Sequence, residues 1–173
     1  MNKAIFFDRD DTLIRDVPYN DDPDLVELMP GARQACHALN SAGYLLFIIS
    51  NQSGVGRGYI SVAQVKAVND RLLDLLGGDI ITDIYCCYDT PDDPPDCRKP
   101  MPTMLLKASM DYDIDLIVSF MVGDKLSDVQ AGDRAGCQTI HMHAALDNPH
   151  GQACHIADYC ANDMAAVAAF ILS

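Results

Sequence analysis

Four short segments hold the residues whose types and spacing could do chemistry. "DRDDTLI" presents Asp8, Asp10 and Asp11 directly after the apolar run Ala4 to Phe7. "SNQSG" presents Ser50 and Asn51, with Gln52 and Ser53, after Tyr44 to Ile49. "GDKLSD" presents Asp124, Lys125 and Asp128 after Ser119 to Val122, and "CRKP" adds Arg98 and Lys99. Taken singly each has an ordinary reading, because Asp-x-Asp after a strand is commonly a turn with helix-capping acids. Taken together they are more specific. Acids gathered at one sheet edge repel one another unless a cation sits among them, and hard oxygen ligands suit Mg²⁺ with a substrate phosphate completing its shell. Ser50, Lys99 and the backbone N–H groups of these turns would neutralise the remaining phosphoryl oxygens. Of the twelve Lys and Arg residues, Arg9, Arg57, Arg98, Lys99 and Lys125 lie in or beside these segments although the net charge is -13. That concentration is the pattern of a site for a small anion.

The elements that must position these residues are legible from periodicity. Ala4 to Phe7 and Tyr44 to Ile49 read as buried strands, a third strand lies within Ile80 to Tyr88, and Ser119 to Val122 and Gln138 to His141 complete the set. Helices are expected over Gly31 to Ser41, Ser61 to about Leu76, Thr103 to Tyr112, Ser127 to Ala135 and Asp163 to Leu172. Ser61 and Gln64 have capping-box spacing, and Gly77-Gly78 stops that helix. Strands alternating with helices imply βαβ units, so the expected fold is a Rossmann-like α/β three-layer sandwich. Its central, mostly parallel sheet has about five strands, with helices on both faces. The working loops of such a sheet leave the C-terminal ends of its strands, where all of the polar segments fall. Two long connections, residues 8 to 30 and 89 to 102, stand out as functional loops.

Composition narrows the function classes. A chain of 173 residues with 49% hydrophobic content fits one compact domain, residues 1–173, with a substantial core. The acidic balance argues against nucleic acid as a partner, since phosphate backbones select basic surfaces. Apolar runs such as "YLLFIIS" are too short to span a bilayer, and "MNKAIFFD" lacks the long apolar region of a signal peptide. A soluble cytoplasmic protein, a monomer or weak homodimer, is expected. Seven cysteines make an odd number in a chain not short of core, so disulfide scaffolding is not expected. Cys36, Cys137, Cys154 and Cys160 are read as reduced structural thiols. His141 and His143 alternate at a strand end but have no third partner in sequence for a zinc site.

"DRDDTLI", "FIISNQSG", "CRKP" and "MVGDKLSD" occur in the order and spacing of the haloacid dehalogenase superfamily of phosphotransferases. Within it the chain resembles the small capless histidinol-phosphate and D,D-heptose 1,7-bisphosphate phosphatases, over roughly residues 4 to 142. The resemblance implies a Mg²⁺-dependent phosphatase without a large cap domain, acting on a small sugar phosphate. Asp8 would be the nucleophile and Asp10 the general acid and base. Asp8, the Asp10 carbonyl and Asp124 would hold the metal, with Asp128 behind them orienting Lys125 or a metal-bound water, and Ser50 and Lys99 would stabilise the phosphoryl group. Substrate contacts would come from Asp16 and Tyr19 in "DVPY", from Asn51, Gln52 and Ser53, and from Arg98 and Lys125. Asp11 stands where many members have glycine and is read as a turn residue.

In many relatives the loop before "RKP" binds zinc through Cys-x-His and Cys-x-Cys. Here Cys87 and Cys97 hold two of those positions, while Asp89 and Pro95 replace the other two ligands. A closed Zn²⁺ site needs four donors, so the loop reads as a degraded zinc site stiffened by proline. The implied reaction is removal of the 7-phosphate of the heptose bisphosphate. Histidinol phosphate is the alternative substrate, and a catalytically silent binding module on the same fold is the alternative of another class.

Overall fold

The computed structural model describes residues 1–143 and 152–173. Six strands form one sheet: β1 (Ala4–Phe7), β2 (Leu45–Asn51), β3 (Ile81–Cys87), β4 (Phe120–Gly123), β5 (Gln138–Met142) and β6 (Tyr159–Ala161). Every pairing between them is parallel, in the order β3-β2-β1-β4-β5-β6. The helices are α1 (Ala32–Ser41), α2 (Ser53–Gly56), α3 (Val62–Leu76), α4 (Thr103–Tyr112), α5 (Leu126–Ala135), α6 (Gln152–Ile156) and α7 (Met164–Ile171). Among the described residues no helix is long and apolar enough to cross a membrane.

Side-chain alternation along the central strands sorts the core into two layers. From β1, Ile5 and Phe7 face a cluster built with Leu46, Ile48 and Val122 and closed by α1, α3 and α7. Ala4 and Phe6 face the opposite cluster with Phe47, Ile49 and Met121, closed by α4 and α5. This two-sided burial explains why "AIFF" has no polar positions. The capping box at Ser61 forms as its spacing predicts, the Ser61 hydroxyl accepting from the Gln64 N–H at 3.2 Å.

The sixth strand and α6 extend the expected architecture. β6 has only three residues, too few for alternation to show in sequence. It is held by pairing with β5 and by Tyr159 stacking on Phe170 of α7, ring centroids 4.1 Å apart. The same α6–β6 turn corrects the reading of two cysteines. Cys154 and Cys160 are joined as a disulfide, their Cα atoms 5.7 Å apart, rather than standing as separate thiols. Cys36 and Cys137 are free and buried, as expected.

Strand order reverses direction at β1, whose neighbours β2 and β4 carry the chain to opposite sides. Loops leaving β1 and β4 diverge there and open a crevice, the usual ligand position in an open parallel sheet. α5 must lie close on β4 and β5 to keep that crevice narrow. A Cβ at Gly132 would sit 2.6 Å from Met121 Cβ and 2.8 Å from Thr139 Cγ2. Gly132→Ala would gain about 1 kcal/mol of helix propensity but overpack the sheet, which typically costs about 1–3 kcal/mol. We expect a lower urea midpoint and a net destabilisation of about 1 kcal/mol; a variant as stable as the parent would show that α5 shifts freely.

Candidate active site

The site begins where β1 ends. Asp8 is 5% exposed and its backbone N–H donates to Val122 O at 2.8 Å, so the chain leaves β1 still tied to β4. One Asp8 carboxylate oxygen accepts from Lys99 Nζ at 2.6 Å. Lys99, only 3% exposed, also ion-pairs with Asp128 at 2.6 Å and donates to Ile49 O at 2.8 Å. Burial alone would lower the ammonium's pKa, but the charges of Asp128 and Asp8 outweigh it and hold Lys99 above the ordinary lysine value. The backbone of Lys99 is fixed as well: its N–H donates to Asn51 Oδ1 at 3.0 Å, and its carbonyl accepts from Asn51 Nδ2 at 3.1 Å. Asn51, expected at the substrate, therefore also staples the "CRKP" loop to the end of β2.

Asp124 and Asp128 come from the loop after β4 and the first turn of α5. Asp128 accepts from the Lys125 N–H at 2.9 Å, capping the helix through its second oxygen while the first meets Lys99. It thus orients Lys99 as well as the Lys125 backbone. This close approach requires Gly123, where a Cβ would overlap the Asp128 carboxylate. Asp124 leaves Oδ1 buried with no hydrogen-bond partner. Burial first, and then the charges of Asp8 and Asp128 against the counter-effect of Lys125, push its carboxyl up to about 8. One ligand atom each from Asp8, Asp124 and Asp128 lies within 4.8 Å of the others. An orphaned carboxylate oxygen within a cluster of hard oxygen donors fits a Mg²⁺-sized cation, which takes one or two carboxylates and retains water. Lys99 offsets only part of the cluster's negative charge.

On the other side of Asp8 the site opens into a cavity of about 280 Å³ that Asp10 lines. Asp16, Tyr19, Asn51, Gln52, Ser53 and Lys125 line it too. Six of the seven expected substrate contacts thus share one cavity with the expected acid–base residue. Asp16 is held above the usual carboxylate value by burial and by the nearby Asp10, with Lys125 opposing. Tyr19 closes over Gly54, where a Cβ would lie 2.7 Å from its ring, and meets Tyr59 edge-on at 4.8 Å. Gln52 is buried, its amide donating to Asp10 Oδ2 at 2.9 Å and to Ser50 Oγ at 2.8 Å. Asp11 takes a left-handed turn, φ 56°, and accepts from the Asp16 N–H at 2.9 Å, which agrees with its reading as a turn residue.

Arg98 is not brought together with these groups. It lines a separate cavity of about 330 Å³ under the proline-rich loop, with Nη1 3.4 Å from Asp89 O. In that loop Cys87 and Cys97, read as the remnant of a zinc site in a chain not expected to use disulfide scaffolding, are bonded as a disulfide, Cα atoms 5.6 Å apart. The sequence showed two cysteines ten positions apart but not that the end of β3 returns beside "CRKP". Asp89 Oδ2 lies 3.2 Å from Cys97 Sγ. Among the described residues, Cys87, Asp89 and Cys97 bring their potential ligand atoms together, but sulfurs joined as a disulfide are not the thiolates that bind zinc. Cys86, the neighbour of Cys87, turns the other way and meets Asn69 of α3, as strand alternation requires. His141 and His143 line a third cavity of about 280 Å³ beside Asp124, their ring centroids 6.3 Å apart.

Sequence reasoning missed Asn69. It is buried on α3, and its Oδ1 accepts from Arg9 Nη1 at 2.9 Å. Its signal was a polar side chain within the apolar stripe Val65, Val68, Leu72 and Leu76, where an unpaired amide would be costly.

A parallel sheet with a carboxylate nucleophile candidate, a buried lysine and a hard-cation cluster at its switch point defines a hydrolase of the acid-centred, phosphoryl-transferring kind. A family model described as haloacid dehalogenase-like hydrolase matches residues 19–136, and the chain belongs to that family. It is 35% identical over 97% of its length, and 94% of the relative's, to a D-glycero-D-manno-heptose-1,7-bisphosphate 7-phosphatase of Thermosynechococcus vestitus. It is 41% identical over 78% of both chains to the D-glycero-beta-D-manno-heptose-1,7-bisphosphate 7-phosphatase of Pasteurella multocida. Among solved structures it is similar to the D,D-heptose 1,7-bisphosphate phosphatase of B. bronchiseptica complexed with magnesium and phosphate. That match has a TM-score of 0.84, 32% identity and 98% coverage of both chains.

The raised Asp124 carboxyl gives a signed prediction. Metal-free folded protein keeps a proton on Asp124 that the unfolded chain loses from its ordinary 3.8 upward. That contribution to stability is present at low pH and is lost as pH rises through about 8. A bound cation displaces the proton, so the Mg²⁺-minus-EDTA difference in Tm should be wider at about pH 8.5 than at about pH 6. A difference that does not change with pH would contradict this.

Proposed function

We propose that the protein is a Mg²⁺-dependent phosphatase that removes the 7-phosphate of D-glycero-D-manno-heptose 1,7-bisphosphate through an aspartyl-phosphate on Asp8. The observation that carries this reading is the joint placement of Asp8, Lys99 and Asp124 at one end of β1, beside a polar cavity lined by Asp10. The named activities of the relatives support the substrate. The acidic chain and its small, partly basic cavity agree with a small anionic sugar phosphate rather than a nucleic acid. We read the enzyme as cytoplasmic, working as a monomer or weak homodimer.

In the first step an Asp8 oxygen attacks phosphorus while the bond from phosphorus to the sugar oxygen breaks opposite it. The departing oxygen takes a proton from Asp10. Water then attacks the aspartyl-phosphate, giving its proton to Asp10, and inorganic phosphate leaves with Asp8 restored as carboxylate. Lys99 balances charge on Asp8 before reaction, and it stands with Ser50 to offset the charge of the transferring group. Asp8 and Asp124, with the Asp10 carbonyl, would hold Mg²⁺, which when bound supplies Lewis-acid stabilisation of the phosphoryl oxygens. Asp16, Tyr19 and Lys125 hold the sugar and its remaining phosphate in the cavity. Arg98 lines a separate cavity and is given no substrate contact in this reading.

The test is phosphate release from both anomers of the heptose bisphosphate and from histidinol phosphate, with the product identified by ³¹P NMR. We expect heptose 1-phosphate as product, loss of activity in EDTA, and a fall in kcat of at least about 10³-fold for Asp8→Asn. Preferential hydrolysis of histidinol phosphate would overturn the substrate, and an active Asp8→Asn would overturn the covalent route.

A further inference from the structure

Arg9 sits between the two motif aspartates, and it is 2% exposed. Its guanidinium grips the side chain of the residue that follows it. Nη2 lies 3.0 Å from Asp10 Oδ1, and Nε lies 3.2 and 3.3 Å from the two carboxylate oxygens. The far corner of the same planar group, Nη1, donates to Asn69 Oδ1 on α3 at 2.9 Å. Arginine only donates, so the Asn69 amide must turn its oxygen toward Arg9. The other end, Nδ2, then meets Cys86 Sγ on β3 at 3.7 Å. From the opposite side Gln52 donates to Asp10 Oδ2 at 2.9 Å. Asp10 is thereby held by Arg9 and by Gln52.

We infer that Arg9 and Asn69 are positioning residues that fix the Asp10 carboxyl for proton transfer to the departing sugar oxygen. The inference rests on the reading of Asp10 as the general acid and base. Asp10 must deliver a proton at one place and collect another there in the next step, so its oxygens must keep their place between steps. A guanidinium suits this task because it stays protonated and presents its donors in a rigid fork. Anchoring that fork to α3 makes the orientation a property of the packed core rather than of the mobile side chain alone. Errors of about 1 Å in such groups cost about 10²-fold in rate.

Leaving-group chemistry separates this role from a general structural one. A sugar alkoxide needs a proton to depart, whereas p-nitrophenolate departs without one. kcat/KM reports steps up to and including loss of the leaving group, so it isolates the proton delivery. The ratio of kcat/KM for heptose 1,7-bisphosphate to that for p-nitrophenyl phosphate is measured for the parent, Arg9→Lys, Asn69→Leu and Asp10→Asn. Partial misfolding cannot distort the result, because the folded fraction cancels in the ratio. We expect Arg9→Lys, which keeps the charge but not the fork, and Asn69→Leu each to lower the ratio about 10-fold or more. The double variant should add little, as for two residues acting through one contact. If Asp10→Asn lowers the ratio while Arg9→Lys and Asn69→Leu lose both activities equally or neither, the positioning inference is overturned. If Asp10→Asn itself leaves the ratio unchanged, the assignment of Asp10 as general acid fails, and the inference with it.

Discussion

A sheet edge that gathers Asp8, Asp124 and Asp128 within 4.8 Å has to compensate charge that burial makes expensive. The compensation arrives from far along the chain: Lys99, 91 residues from Asp8, inserts its ammonium between Asp8 and Asp128. Much of the surrounding structure serves that placement. Asn51 fixes the Lys99 backbone through a pair of hydrogen bonds. Ile49 at the end of β2 accepts one ammonium proton. Gly123 leaves room for Asp128 to approach. Lys99 does not neutralise the whole cluster, and the orphaned Asp124 oxygen marks where a hard cation would complete the balance.

The parallel topology explains why these groups meet. Asp8 and Asp124 directly follow β1 and β4, and Ser50 is the next-to-last residue of β2, so all three stand at the C-terminal ends of adjacent strands. Each is a short step beyond fully buried backbone, so the protein positions them with core rigidity while their side chains reach the crevice. The core itself is split by strand alternation into two apolar layers that clamp β1 from both faces. On the proposed reading the division of labour is spatial: metal and phosphoryl chemistry would lie at Asp8, and the sugar would occupy the cavity lined by Asp10.

Much of this was legible because the signals are local. Short apolar runs located the five longer strands, the 3.6 period located the main helices, and Gly77-Gly78 marked a helix end that the structure closes with both glycines at positive φ. The three-residue β6 carried too few positions for any period. The two disulfides were read wrongly for a related reason. Whether Cys87 and Cys97, or Cys154 and Cys160, approach to within 6 Å at Cα depends on how loops fold back, which composition does not encode. Asn69 was passed over because a single polar residue in an apolar stripe announces a partner without saying where that partner is.

By itself the amino-acid sequence determined the chemistry available: two acidic turns and one Ser-Asn turn after strands, one Arg-Lys pair, and their order along the chain. Those are properties of residue type and short-range spacing, which need no partner to be read. Only the tertiary structure decided the pairings across long separations. It placed Lys99 between Asp8 and Asp128, set Gln52 and Arg9 on either side of Asp10, and put Arg98 in a cavity apart from the other expected substrate contacts. The physical reason is that a buried charge is compensated by whatever packing brings within about 3–4 Å of it, and that distance is set by the crossing of whole strands and helices.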